Sequence, residues 1–264
     1  MDALEQSDSV NPLSARRGIY VAPFDELADP FTVAELAVSA EQRGWEGFFL
    51  WDHVNYRAPI RAVADVWVTL AAIAAATERL RIGPMVTPLS RRRIQKVARE
   101  TVTLDHLSEG RLTFGVGLGS ARNGELEPFG EVVDPRERAR LLDEGLDRLA
   151  AFWAGEFEPT PIQRPRIPVW VAGRWPNRRP VRRAARWDGF FPIDLSGPGD
   201  LSVLAAELRD LRADPNDSFD LVVEVEPGGE AEPWEAAGAT WVLTSLDSPP
   251  RLNEVRSTID AGPG

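Results

Sequence analysis

Asp52 and His53 stand side by side directly after an unbroken apolar run, Gly47-Phe48-Phe49-Leu50-Trp51. A polar pair at the end of such a run is costly to bury unless it is solvated or paired. A histidine titrating near neutrality can donate or accept a proton at a reacting centre, whereas the plainer alternative is a loop histidine resting on a backbone carbonyl. A second group is glycine-rich, Gly115-Val116-Gly117-Leu118-Gly119. It is not a dinucleotide fingerprint, which needs a third glycine opening directly into a helix. Here the chain continues Ser120-Ala121-Arg122-Asn123-Gly124-Glu125, and the next helix waits for Pro135. These glycines instead let backbone amides come close to a flat or anionic ligand. A third group, Gly173-Arg174, lies just before Pro176-Asn177 and a helix start. Backbone amides and an arginine there both favour an anion such as phosphate.

The segments between these groups alternate in period. Short apolar runs at 17–23, 47–51, 80–86, 111–116, 167–172, 189–193, 221–225 and 240–244 read as strands. Helical spacing of apolar residues joins them, as in Val33, Leu36, Ala37 and Ala40 or Leu142, Leu146 and Leu149. Asp29-Pro30 and Asp134-Pro135 supply an N-cap and a first-turn proline, with Thr32, Glu35 and Glu137 at capping-box positions. The seventh helix, 228–237, is the weakest because it is short and contains Pro233. Strands alternating with helices predict parallel βαβ units, and eight of them predict a single α/β (β/α)8 TIM barrel. Ligands of such barrels bind at the C-terminal ends of the strands. That rule selects Asp52-His53, Thr87, Gly117-Leu118-Gly119, Gly173-Arg174-Trp175, Asp194, Glu224, Glu226 and Thr244-Ser245. Trp51 divides evenly between a ligand-facing and a packing role, while Trp67 reads as packing and His106 as structural. The expected domain spans 16–260, behind a flexible tail at 1–15.

Composition narrows the function. The 264 residues carry 41 acidic and 30 basic side chains, a net charge of −11, which disfavours nucleic-acid and anionic-membrane partners. With no cysteine and only two histidines, disulfides, thiolate metal sites, iron–sulfur clusters and a multi-histidine metal centre are excluded. No apolar run reaches the roughly 18 residues of a membrane span, and the acidic start lacks a signal-peptide layout, so a cytoplasmic location is expected. Eight arginines crowd residues 164–186 with no acid before Asp188, which reads as a solvated helix face for all but Arg174.

Several segments together resemble the bacterial luciferase-like family of flavin- and F420-dependent oxidoreductases. They are GWEGFFLWDHV (44–54), DVWVTLAAIAAATERLRIGPMVTP (65–88), ARETVTLDHLSEGRLTFGVGLGS (98–120), IPVWVAGRWPNRRPVRRAARWDG (167–189) and GATWVL (238–243). The resemblance implies that FMN or the deazaflavin F420 binds at the strand C-termini, with a slight lean to F420, and that the substrate is a small organic molecule. It implies Asp52 and His53 at the reactive side of the ring, with His53 transferring a proton. It also implies a bulge with a non-proline cis peptide near Met85, Val86 and Thr87, a border formed by Gly117, Gly119 and Asn123, and a phosphate held by Gly173 and Arg174. Deazaflavin dehydrogenases of the family place a glutamate in the fourth-strand loop, where this chain has Ser120. Homodimers are the family's usual assembly. Beside the usual members, the chain has a shortened stretch between Trp153 and Ile167 and another at 228–233. Two other readings compete: a non-catalytic cofactor-binding or partner subunit, and a barrel hydrolase using Asp52, Glu224 and Glu226 as acids.

Overall fold

Polar side chains are almost absent from the strand interiors, so the strands can be covered on both faces, as a parallel sheet requires. The computed structural model describes residues 14–122, 124–246 and 249–264. Nine strand segments form one sheet: β1 (Arg16–Val21), β2 (Gly47–Leu50), β3 (Arg81–Pro84), β4 (Thr87–Pro88), β5 (Phe114–Gly117), β6 (Val169–Arg174), β7 (Gly189–Ile193), β8 (Asp220–Val225) and β9 (Trp241–Ser245). Their order is β3-β2-β1-β9-β8-β7-β6-β5-β4, and every pairing is parallel.

The two edges of that order are halves of one strand position. The expected continuous strand at 80–86 is broken after Pro84, and the Met85–Val86 peptide between β3 and β4 is cis. The ring closes where the Ile82 amide donates to the Arg111 carbonyl (3.0 Å) and the Thr113 amide to the Ile82 carbonyl (2.8 Å). The result is the eight-position α/β barrel expected from the alternation. The fourth strand differs in its start: residues 111–113 contribute only the Ile82–Leu112 bridge, and the regular ladder begins at Phe114.

Among the described residues eight helices wrap the barrel: α1 (Pro30–Gln42), α2 (Val66–Ala76), α3 (Ile94–Leu107), α4 (Pro135–Ala151), α5 (Arg178–Ala184), α6 (Pro198–Leu211), α7 (Glu232–Ala236) and α8 (Leu252–Ala261). Asp29 caps α1 by accepting from the Phe31 and Thr32 amides (3.3 and 3.1 Å), and Asp134 caps α4 by accepting from Arg136 and Glu137 (3.0 and 2.8 Å). The reciprocal half of the capping box is missing from α4, because Glu137 turns to Arg140 instead. Helix α4 runs on into a π-type turn, Phe152–Glu156.

Two apolar clusters separate inside from outside. Phe49, Trp170 and Trp241 fill the barrel interior with ring centroids 5.2–5.6 Å apart, and Tyr20 and Phe191 belong to the same cluster. A larger cluster between sheet and helices includes Leu36, Trp67, Ile73, Trp153 and Leu204. Gly189 makes room for the plug, since a Cβ there would lie 2.4 Å from the Trp170 ring. Of the segment expected as a tail, Ala15 is buried and its amide donates to Glu235 Oε1 (3.0 Å). Residues 1–13 lie outside the described residues.

Candidate active site

The C-terminal strand ends surround a cavity of about 460 Å³. Tyr20, Met85, Val86 and Phe191 are among its apolar lining. The Tyr20 hydroxyl donates to the Met85 carbonyl (2.8 Å), which ties β1 to the interrupted third strand position. Burial pushes the Tyr20 phenol well above its ordinary value, and the neighbouring Glu224 adds to the effect, so the hydroxyl stays a neutral donor.

After the fully buried strand β2 the chain delivers Asp52 and His53 to different surroundings. Asp52 is buried, and both carboxylate oxygens are engaged. Arg91 Nη2 donates to Oδ1 (2.7 Å), Arg92 Nη2 reaches both oxygens (2.8 and 2.9 Å), and the Thr87 hydroxyl donates to Oδ2 (2.6 Å). Burial alone would raise this carboxyl. Arg92, Arg91 and Thr87 outweigh it and hold the group below the usual carboxylate range. Arg91 and Arg92 reach Asp52 because a single 3-10 turn, Leu89–Arg91, follows β4 directly.

His53 faces the cavity, with Tyr56 (5.0 Å between centroids), Trp51 (5.6 Å) and Phe24 (5.7 Å) around its ring. Its Nδ1 lies 2.7 Å from Glu125 Oε2 without the alignment of a hydrogen bond. Glu125 is itself buried; its Oε1 accepts from the Val54 amide (3.0 Å) and sits 3.5 Å from Arg91 Nη1. Asp52, Glu125, Arg91, Arg92 and Thr87 thus form one charged network beneath His53. Its Nε2 makes no hydrogen bond to the described residues.

The cavity's cationic side is built from the loops after β5 and β6. Gly119 has φ +70°, and a Cβ there would meet Pro88 at 2.8 Å, so this turn needs glycine. Arg138 reaches down from α4, only 6% exposed, and its Nη1 donates to the Leu118 and Gly119 carbonyls (2.8 and 3.0 Å). It makes no ion pair among the described residues, and its Nε has no partner. Arg174, at the end of β6, pairs with Asp194 and is well exposed.

Of the residues singled out in the sequence, Asp52, His53, Met85, Val86, Gly117, Gly119, Gly173 and Arg174 border the cavity. Thr87 does not; it lies under the site as a partner of Asp52. Asn123 falls outside the described residues. Glu224 borders the cavity but Glu226 does not, so the three-acid arrangement of a hydrolase is not assembled. Sequence reasoning missed Tyr20, Arg91, Arg92, Glu125 and Arg138. Arg91 and Arg92 sit in a basic triplet that reads as solvated, and Glu125 in a polar loop without periodicity; for neither is there a local signal. The fourth-strand loop does supply a carboxylate, from Glu125 rather than from position 120. Among the described residues no cluster of three His, Cys, Asp or Glu side chains could hold a metal ion, and no helix is long and apolar enough to cross a membrane.

A family model described as luciferase-like monooxygenase matches residues 16–228. An F420-dependent glucose-6-phosphate dehydrogenase from Beutenbergia cavernae is 35% identical over 202 residues, covering 68% of this chain and 56% of that protein. Among solved structures, an F420-dependent secondary alcohol dehydrogenase in complex with an F420-acetone adduct superposes with a TM-score of 0.75 at 17% identity, over 93% of this chain and 96% of that one. The oxygenating constituent of 3,6-diketocamphane monooxygenase from Pseudomonas putida, in complex with FMN, superposes with a TM-score of 0.67 at 17% identity, over 80% and 66%.

Proposed function

The chain belongs to the luciferase-like monooxygenase family, and on that premise we propose that it is an oxidoreductase using F420, with FMN as the competing cofactor, on a small organic substrate. The observation that carries the reading is the cavity itself: His53, backed by the buried carboxylate Glu125, faces a pocket bordered by Met85 and Val86 at a break in the third strand position. F420 is favoured because the 35%-identical relative is named for it, whereas the FMN-containing neighbour, at 17% identity, shares the fold alone.

The residues present fit such a cofactor. A volume of about 460 Å³ suits a planar ring system, and Met85, Val86 and Ala172 offer an apolar surface beside it. Arg138, with its orphaned Nε and no carboxylate partner, and Gly173 and Arg174 beyond it, would hold the phosphate. Gly117 and Gly119 would border the ring or its side chain. When bound, F420 supplies hydride exchange with an organic substrate and reduced FMN supplies oxygen activation. The protein's own part is proton handling and orientation. His53 would hold or release a proton at Nε2, with the Glu125 carboxylate beside Nδ1. Asp52 is a positioning residue, since its oxygens are spent on Arg91, Arg92 and Thr87.

Titration of the purified protein against F420 and FMN separately, followed by tryptophan quenching, tests the proposal. Micromolar F420 binding with weak FMN binding is expected. The reverse order makes it an FMN-dependent, oxygen-using enzyme, and binding of neither refutes the oxidoreductase reading.

A further inference from the structure

Charge is spread unevenly around the cavity. Among the described residues two arginines border it, Arg138 from α4 and Arg174 at the end of β6, and Arg174 is already paired with Asp194. Arg91 and Arg92 are committed to Asp52 and Glu125. Strand β8 brings a carboxylate to the same cavity. Glu224 is exposed to the cavity, has the Ser245 hydroxyl beside it, and pairs with no lysine or arginine among the described residues.

Glu224 shares the cavity with three aromatic side chains, Tyr20, Trp51 and Phe191. Its charge acts on the Tyr20 phenol, and Tyr20 in turn stands 5.8 Å from both Trp51 and Phe191, centroid to centroid. An unpaired carboxylate in a cavity that aromatic rings also line is the chemistry that recognises an organic cation, through a charge-assisted hydrogen bond to the carboxylate and attraction to the rings. Enclosure by protein, and then Asp194, hold the Glu224 carboxyl above its ordinary range; a bound cation would oppose both effects. An anionic group placed there would meet like charge.

We infer that Glu224 is the substrate-orienting residue of this site and that the substrate carries an ammonium group, seated on Glu224 in the cavity that Tyr20 and Trp51 also line. This rests on reading the cavity as the active site. The phosphorylated sugar named for the 35%-identical relative is the wrong charge for this wall.

Benzylamine, benzyl alcohol and benzoate share a ring and differ in charge, so calorimetric titration of each into the cofactor-loaded protein at pH 7.5 isolates the effect. Benzylamine should bind at least tenfold more tightly than the alcohol, and benzoate least well. Glu224→Gln should bring the amine down to the alcohol, while Glu224→Asp keeps part of the preference. The wild-type ranking decides the matter even if the glutamine variant folds poorly, as circular dichroism would reveal. Equal or tighter binding of the alcohol or benzoate, binding of none of the three, or an amine preference that survives Glu224→Gln overturns the inference. The same titrations on cofactor-free protein keep the two readings apart. A protein that binds neither F420 nor FMN yet ranks the probes as expected refutes the oxidoreductase reading alone. One that binds cofactor and prefers benzoate refutes only the ammonium assignment.

Discussion

Asp52 and His53 share a peptide bond and part company at once, the first sealed among guanidinium groups and the second turned to the cavity. Removing the charge of Asp52 leaves the buried Arg91 side chain with Glu125 at 3.5 Å, and the partly buried Arg92 with no carboxylate partner, among the described residues. Breaking a buried pair in this way costs about 3–5 kcal/mol, so Asp52→Asn should lower the urea midpoint correspondingly. The pH dependence has a definite sign. Because the folded carboxyl lies below its unfolded value of about 3.9, the unfolded state binds the extra proton. The stabilisation is whole above pH of about 4 and is lost as the pH falls through the folded value. Wild-type protein should therefore lose stability more steeply than Asp52→Asn below that pH, as acid-unfolding curves would show. His53→Ala should behave differently, lowering turnover about 10²–10⁴-fold with cofactor affinity kept within about twofold. Turnover at the wild-type rate would remove His53 from proton transfer.

At the scale of elements, what matters is how tightly each strand end is held to the helix after it. Gly173 lies where β6 meets α5, and a Cβ there would fall 2.1 Å from Pro180 Cβ and 3.3 Å from the Phe190 ring. Neither a proline ring nor a buried phenylalanine can step aside, so Gly173→Ala must push α5 away from the sheet. Overpacking of this kind costs about 1–3 kcal/mol, and it displaces Arg174 by the same movement. The variant should show both a lower thermal midpoint and weaker cofactor binding, and unchanged binding would mean that the end of β6 does not hold the cofactor. A comparable clamp acts at the other end of the barrel. Arg111 donates to the carbonyls of Ala74, Thr77 and Leu80, closing the turn between α2 and β3.

Across the whole molecule, the interior plug decides how deep the cavity can be. Trp170 is fully buried; it packs on Phe49 and Trp241, and its Nε1 donates to Asp220 Oδ2 (3.0 Å). Truncation to alanine leaves a void that these rigid rings cannot close. Trp170→Ala should cost about 3–5 kcal/mol, read as a lower denaturant midpoint. A loss below about 1 kcal/mol would mean that the interior repacks, contrary to its close-packed character. Global charge is arranged on the same scale. The arginine run at 164–186 has no acid of its own in sequence, yet Arg178 pairs with Glu207 of α6, Arg183 with Asp143 of α4 and Arg186 with Asp147.

Periodicity and capping residues made the barrel legible in the chain before any coordinates, because both are local: a helix repeats within four residues and a strand within two. The rule that ligands meet a barrel at its strand C-termini then located Asp52, His53, Gly117, Gly119, Gly173 and Arg174 at the cavity. What stayed hidden was non-local. Glu125 lies 72 residues from His53 and meets it only when the fourth-strand loop folds over β2. Arg91 and Arg92 look like surface charge until Asp52 is seen beneath them. Thr87 looks like a ligand contact until its hydroxyl is found on that same carboxylate. The strand break at Met85 leaves no mark in the apolar pattern, because both halves of the strand stay buried. Solvated or paired, open to the cavity or sealed below it: these alternatives depend on which side chains meet across the barrel, and only the closed ring of strands brings them together.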